Sequence, residues 1–112
     1  MANEFVNSFV NTVGTSNTVV YSPTGSIDYA TVIGVTIANR TSSRIEIDLL
    51  VEDTDNSITY ILKDSQIETG TSIVPIGGEQ KLVLLPNQSL LARASSSASA
   101  DVTVSALEIT EE

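Results

Sequence analysis

Short runs of alternating apolar and polar residues recur along the chain, with turn-forming residues between them. In the clearest run, residues 44–52, the apolar residues Ile45, Ile47, Leu49 and Val51 alternate with polar ones. Because successive side chains of a strand point to opposite faces, this pattern predicts a half-buried strand with a solvated outer face.

Other runs show the same period. Residues 31–39 place Ile33, Val35 and Ile37 on one face, and residues 58–62 form a third run. We expect these three runs to form an antiparallel meander. Runs spaced about 8–12 residues apart, with no helical segment of useful length, indicate a sandwich or a barrel. The predicted fold is all-β: a single antiparallel β-sandwich of about eight strands, with a jelly roll as one form of it.

The N-terminal segment has a different pattern, in which apolar residues recur at helix-like spacing among Asn, Ser and Thr, which are poor helix formers. We predict an extended arm or first strand over residues 1–16 and the β-sandwich domain over residues 17–112. The apolar residues either cap the core of their own domain or dock on a neighbouring subunit. The candidate interface residues are Phe5, Val6, Phe9 and Val10.

The formal net charge is −9, from 14 acidic and 5 basic residues. Such a surface repels nucleic-acid phosphates and anionic membranes, so neither is an expected partner. The charge serves either to keep the protein soluble or to match a basic partner. The absence of a basic segment near Met1 and of a long apolar stretch favours synthesis in a cytoplasm without a signal peptide.

The chain contains neither His nor Cys, so the commonest general base and the thiolate nucleophile are missing. Glu46 and Asp48 could form a carboxylate pair on one strand, but nothing in the sequence indicates a cleft around them. Residues 53–57 begin like a calcium loop and then depart from its pattern, which leaves an ordinary polar turn or a weak calcium site. We predict no enzymatic activity and no catalytic, cofactor or metal site.

Several stretches resemble small virion proteins of tailed phages, particularly marine and cyanobacterial ones. They are VIGVTIAN (32–39), IEIDLLV (45–51), YILKD (60–64), IVPIGGEQKLVL (73–84) and VTVSALEIT (102–110). The resemblance covers residues 19–110 and implies a β-sandwich that assembles in many copies on a capsid or tail.

The function implied by the resemblance is that of a capsid decoration (cement) protein. Such a protein binds the outer shell of the virion and bridges major capsid subunits, as a homo-oligomer with a trimer favoured. One alternative is a neck, tail or baseplate adaptor or fibre-attachment module. Another is a carbohydrate-binding module for the host surface, which would use Tyr21, Tyr29 or Tyr60.

Overall fold

A computed structural model describes residues 2–78 and 81–110, which form nine strands and no helix. No helix in these residues is therefore long and apolar enough to cross a membrane. In chain order the strands are β1 (Ala2–Val13), β2 (Thr18–Tyr21), β3 (Tyr29–Asn39), β4 (Ile45–Glu52), β5 (Ile58–Ile67), β6 (Ser72–Ile76), β7 (Leu82–Leu84), β8 (Ser89–Ala94) and β9 (Ala100–Thr110).

The strands form two antiparallel sheets. The first sheet has the order β1-β9-β3-β6, with β7 also paired to β3, and the second has the order β2-β8-β4-β5. Apart from β4–β5 and β6–β7, consecutive strands lie in different sheets. When β6 and β7 are taken as one interrupted strand, this is the order of a jelly roll. The prediction of an all-β antiparallel sandwich is confirmed.

The core lies between the two sheets and follows the alternation of the strands. In β9, Val102, Val104 and Ala106 are buried, whereas Leu107 and Ile109 point to the other face. The inward residues of β4 are buried in the same way. Apolar side chains at every second position therefore produce the two inner faces that pack together.

Residues 2–13, expected to be an extended arm or a first strand, form the edge strand β1. This strand pairs with β9 from Ala2 opposite Thr110 to Val13 opposite Ala100. Val13 is fully buried, so the far end of β1 is part of the core.

The predicted meander is wrong, because β3 lies in the first sheet and β4 in the second. The chain crosses between the sheets after Asn39, whose buried side chain fixes the crossover. Its Nδ2 donates to the carbonyl oxygens of Ser43 at 2.8 Å and Ile67 at 3.0 Å. Its Oδ1 accepts from the Thr41 N–H at 2.8 Å. Sequence alternation does not reveal such a crossing, since both strands remain half buried.

The predicted face of β3 needs a second correction. The pairing of β3 with β9 shifts by one residue between Val32 and Gly34, so Ile33 is an extra residue in the ladder. Val32 and Val35 are both fully buried, and Ile33 is displaced from the face that it was expected to share with Val35. A β-bulge thus reverses the alternation at one point of the strand.

Candidate functional site

The four candidate interface residues occupy both faces of β1. Phe5 and Phe9 are exposed over 75% and 74% of their surface, whereas Val6 and Val10 are partly buried against the core. Because side chains alternate along the strand, the phenylalanines and the valines point to opposite faces. The two valines face the core and stabilise the sandwich. The two phenylalanines stand on the outer face of the first sheet and remain available to a partner.

The exposed phenylalanines belong to a surface that extends across the first sheet. Phe5 lies opposite Leu107 in β9, which lies opposite Thr31 in β3, which lies opposite Val83 in β7. Val83 is itself 56% exposed. We call this surface the uncharged face. It consists of Asn3, Phe5, Asn7, Phe9, Tyr29, Thr31, Thr36, Val83, Thr103, Ser105, Leu107 and Ile109.

None of the described strand residues on the uncharged face is Asp, Glu, Lys or Arg, on a chain of net charge −9. Charged residues lie at its margin. Lys81 precedes β7, and Arg40 pairs with Asp101 at 3.2 Å at the end of β9. Because apolar and neutral polar side chains form this surface, it suits contact with another protein surface better than contact with a charged ligand.

The outer face of the second sheet is charged instead. A depression of about 170 Å³ there is lined by Glu46, Asp48, Lys63, Asp64 and Arg93, with Ala94 and Ser95. Lys63 Nζ lies 3.6 Å from Asp48 Oδ2 and 5.2 Å from the centre of the Tyr60 ring. The two outer faces of the sandwich therefore have different chemistry.

Asp48 is the central residue of this depression, and its side chain is only 8% exposed. Its Oδ1 accepts the Asp64 N–H at 2.8 Å, and its Oδ2 accepts Arg93 Nη2 at 2.5 Å and Nε at 3.2 Å. Burial raises the pKa of Asp48, but the Asp64 N–H, Arg93 and Lys63 together lower this pKa below its usual value. A carboxylate held in its ionised form is a poor general acid. This arrangement links β4 to its two neighbours, β5 and β8.

Residues 53–57 form a closed turn. Asp53 N–H donates to the Ser57 carbonyl oxygen at 2.9 Å, and Asp55 Oδ1 accepts the Ser57 hydroxyl at 2.7 Å. Hydrogen bonds from the Ser57 side chain and backbone lower the pKa of Asp55. Within residues 2–78 and 81–110, no group of three or more acidic, His or Cys side chains is placed to hold a metal ion.

The three tyrosines do not share one surface. Tyr21 is buried, and its hydroxyl donates to Glu108 Oε2 at 2.6 Å. Burial and this hydrogen bond raise the pKa of Tyr21 well above its ordinary value. Tyr29 belongs to the first sheet and Tyr60 to the second. A platform of neighbouring aromatic rings for a sugar therefore does not form from these residues.

The sequence identified two residues of the uncharged face and missed the rest. The available signal was the contrast between two strands. The outward residues of β9 from Thr103 to Ile109 carry no charge, whereas those of β4 include Glu46, Asp48 and Glu52. The sheet order decides which of these uncharged strand faces lie side by side, and this order could not be read from the sequence.

No protein-family model matches the chain, and no curated protein matches it in sequence. Solved structures do match. One is from Bacillus endospore appendages, described as a novel family of disulfide-linked pili, with a TM-score of 0.59 and 10% identity over 98% of this chain and 88% of that chain. Another is the VP2 subviral particle of infectious bursal disease virus, with a TM-score of 0.55 and 15% identity over 97% of this chain and 32% of that chain. At these identities the similarity establishes the fold alone.

Proposed function

We propose that this protein is a non-enzymatic structural subunit of a tailed-phage virion, and that it decorates the outside of the capsid as a cement protein. The observation that carries the proposal is the uncharged face, with Phe5 and Phe9 exposed on an otherwise acidic molecule. Exposed apolar patches with polar margins are characteristic of protein–protein contact. This face would bind the shell, and the charged second sheet would face solvent.

Two further observations support an assembling subunit. The matched structures are described as disulfide-linked pili and as a subviral particle. The phrases in residues 32–39 and 45–51 resemble those of phage virion proteins. This chain has no cysteine, so disulfide links such as those of the endospore pili are not available to it. Its contacts with other subunits therefore form without disulfides.

The test is the copy number of this protein relative to the major capsid protein in purified particles, measured by mass spectrometry. A copy number of the same order as that of the major capsid protein supports decoration of the lattice. A few copies per particle would instead support the alternative of a neck, tail or baseplate adaptor. Absence from the particles would contradict the virion proposal.

A second experiment addresses the surface. Removal of residues 2–13 would also remove core residues such as Val13, so point substitutions are the better probe. Phe5→Asp should abolish binding to undecorated capsids. Ile58→Asp, at an exposed apolar position of the second sheet, should leave that binding unchanged. Equal binding by both variants would show that the uncharged face is not the docking surface.

A further inference from the structure

The edge strands of the two sheets differ in how well they resist pairing with another chain. The outer strands are β1 and β6/β7 in the first sheet and β2 and β5 in the second. β2 has 4 residues and β7 has 3, while β6 has 5 and contains Pro75. β5 carries Lys63 and Asp64, the latter in a bulge with a φ of 54°. Shortness, proline, charge and bulges all hinder edge-to-edge pairing.

β1 has none of these protections over most of its length. It is the longest of the outer strands, with 12 residues, and lacks proline. Glu4 is its one charged residue, and its pairing with β9 is regular from Ala2 to Val10. The hydrogen-bonding groups on its free edge are thus suited to receive a further strand.

The outward residues of β1 also form a symmetric pattern. Positions 3, 5, 7, 9 and 11 read Asn, Phe, Asn, Phe and Asn, the same in both directions about Asn7. Two copies related by a two-fold axis contact each other through the same surface, so such an interface needs a self-complementary pattern. When two β1 strands run antiparallel with Asn7 opposite Asn7, Phe5 of each copy lies opposite Phe9 of the other.

We infer that the protein forms a two-fold dimer by antiparallel pairing of β1 with β1 of a second copy, with Asn7 at the axis. Opposed aromatic residues on one face of an antiparallel pair attract each other, and this register forms two such pairs. The Asn7 amide contains both a donor and an acceptor, so it can bond to its own copy.

Repulsion between two copies is small at this edge. A chain of net charge −9 repels its copies, and an interface between them must avoid acidic side chains. In the inferred register Glu4 lies opposite Val10 of the second copy. The two Glu4 residues are six positions apart along the pair, or roughly 20 Å at about 3.4 Å per residue. This separation exceeds the Debye length of about 8 Å at physiological salt.

The dimer goes beyond the proposed function and does not depend on it. Pairing through β1 joins the two first sheets into one continuous sheet and doubles the uncharged face. The predicted stoichiometry is two, which differs from the trimer that the phage resemblance implies. The mass of the free protein in solution therefore tests the inference without any virion.

The register can be tested by disulfide trapping, since the chain has no cysteine of its own. Residues opposite each other in antiparallel strands have Cα atoms about 4.5–5.5 Å apart, within the range that a disulfide spans. Asn7→Cys should form a covalent dimer under mild oxidation. Asn3→Cys, on the same face of the same strand, should not, because it lies opposite Asn11 of the second copy. Equal cross-linking of both variants, or none of either, would overturn the inferred register.

Light scattering coupled to size exclusion tests the association itself. The wild-type mass should rise towards two chains with concentration. Phe9→Asp should weaken association by about tenfold or more, since it places a carboxylate against Phe5 of the second copy. Val83→Asp, on the opposite edge of the uncharged face, is the matched control and should associate like the wild type. Circular dichroism checks that both variants are folded.

A wild-type mass of one chain at every concentration, or of three chains, would overturn the inference. The inference would also be overturned if a folded Phe9→Asp variant associated as strongly as the wild type.

Discussion

Asp48 is a carboxylate on the outer face of the second sheet, where Arg93, Lys63 and the Asp64 N–H surround it. Loss of its charge should destabilise the fold, because Arg93 and Lys63 would lose their shared partner. The side chains of these two cations are 32% and 52% exposed, which keeps the effect below that of a fully buried pair.

For Asp48→Asn we expect a loss of about 1–3 kcal/mol in the free energy of unfolding. The measurement is urea denaturation at pH 7. Glu46→Gln, an exposed position on the same strand face, is the control and should change this free energy by less than about 0.5 kcal/mol. If Asp48→Asn lowers the free energy of unfolding no more than Glu46→Gln does, the network around Asp48 is not a source of stability.

The lowered pKa of Asp48 also fixes how the free energy of unfolding depends on pH. Burial raises the pKa of Asp48, but its hydrogen bonds and the two cations lower it by more. The pKa of Asp48 is therefore lower in the folded protein than in the unfolded chain. Such a group stabilises the fold above the unfolded pKa of about 3.9, and this contribution is lost as the pH falls through the folded value. The stability difference between wild type and Asp48→Asn should therefore be largest near neutral pH and shrink below about pH 4. A difference independent of pH would contradict the electrostatic origin.

Tyr21 joins the two sheets, because its hydroxyl on β2 donates to Glu108 on β9 at 2.6 Å. Removal of this hydroxyl leaves the carboxylate without that donor. We expect Tyr21→Phe to lower the free energy of unfolding by about 1–2 kcal/mol. A double-mutant cycle with Glu108→Gln should give a coupling energy of at least about 0.5 kcal/mol. Additive effects of the two substitutions would show that the hydrogen bond is not a net source of stability.

At the scale of the strands, one arrangement occurs in both sheets. Thr12 in β1 and Asp64 in β5 have φ angles of 55° and 54°, and each lies at a break in the register of its strand. In each case an aspartate on the neighbouring strand accepts the N–H of the left-handed residue: Asp101 at 3.0 Å and Asp48 at 2.8 Å. Each of these aspartates also pairs with an arginine. A carboxylate and a cation therefore support each bulge.

The bulge in β1 stores strain, because a β-branched residue rarely adopts a positive φ. Thr12→Gly should relieve this strain and raise the free energy of unfolding by about 0.5–1 kcal/mol, after the entropy cost of glycine. Thr103→Gly in β9 is the matched control and should destabilise by about 1 kcal/mol. Thermal denaturation of both variants measures the two changes. A loss of stability in Thr12→Gly comparable to that of the control would show that Thr12 is not strained.

Strand-forming segments could be predicted from the sequence because a period of two is a local property, as β4 and β5 show. The bulge at Ile33 and the crossing at Asn39 could not, since each depends on the neighbouring strand or on carbonyl oxygens distant in sequence. The uncharged face was missed for the same reason. Phe5 and Phe9 are visible in the sequence, but Leu107 and Thr103 come to lie opposite them only through the sheet order.

At the scale of the whole molecule, charge and neutral surface are segregated between the two outer faces. Association of two such molecules brings like charges together, so added salt should strengthen the β1-mediated dimer. Between about 0.01 and 0.15 M NaCl the Debye length falls from about 30 to 8 Å, and we expect dimer dissociation constants to fall roughly 3–10-fold. Analytical ultracentrifugation measures this. Weaker association at higher salt would instead indicate an interface between opposite charges.

The pairing of Ala2 with Thr110 has a consequence for engineering. Partners in neighbouring strands lie about 5 Å apart, so the two described ends of the fold meet at one corner of the first sheet. A linker of a few residues would connect them, and the chain could be opened at the exposed turn of residues 53–57 with every strand retained. Such a circular permutant would keep β1 in place as an internal segment of the chain, with its free edge still available to a partner.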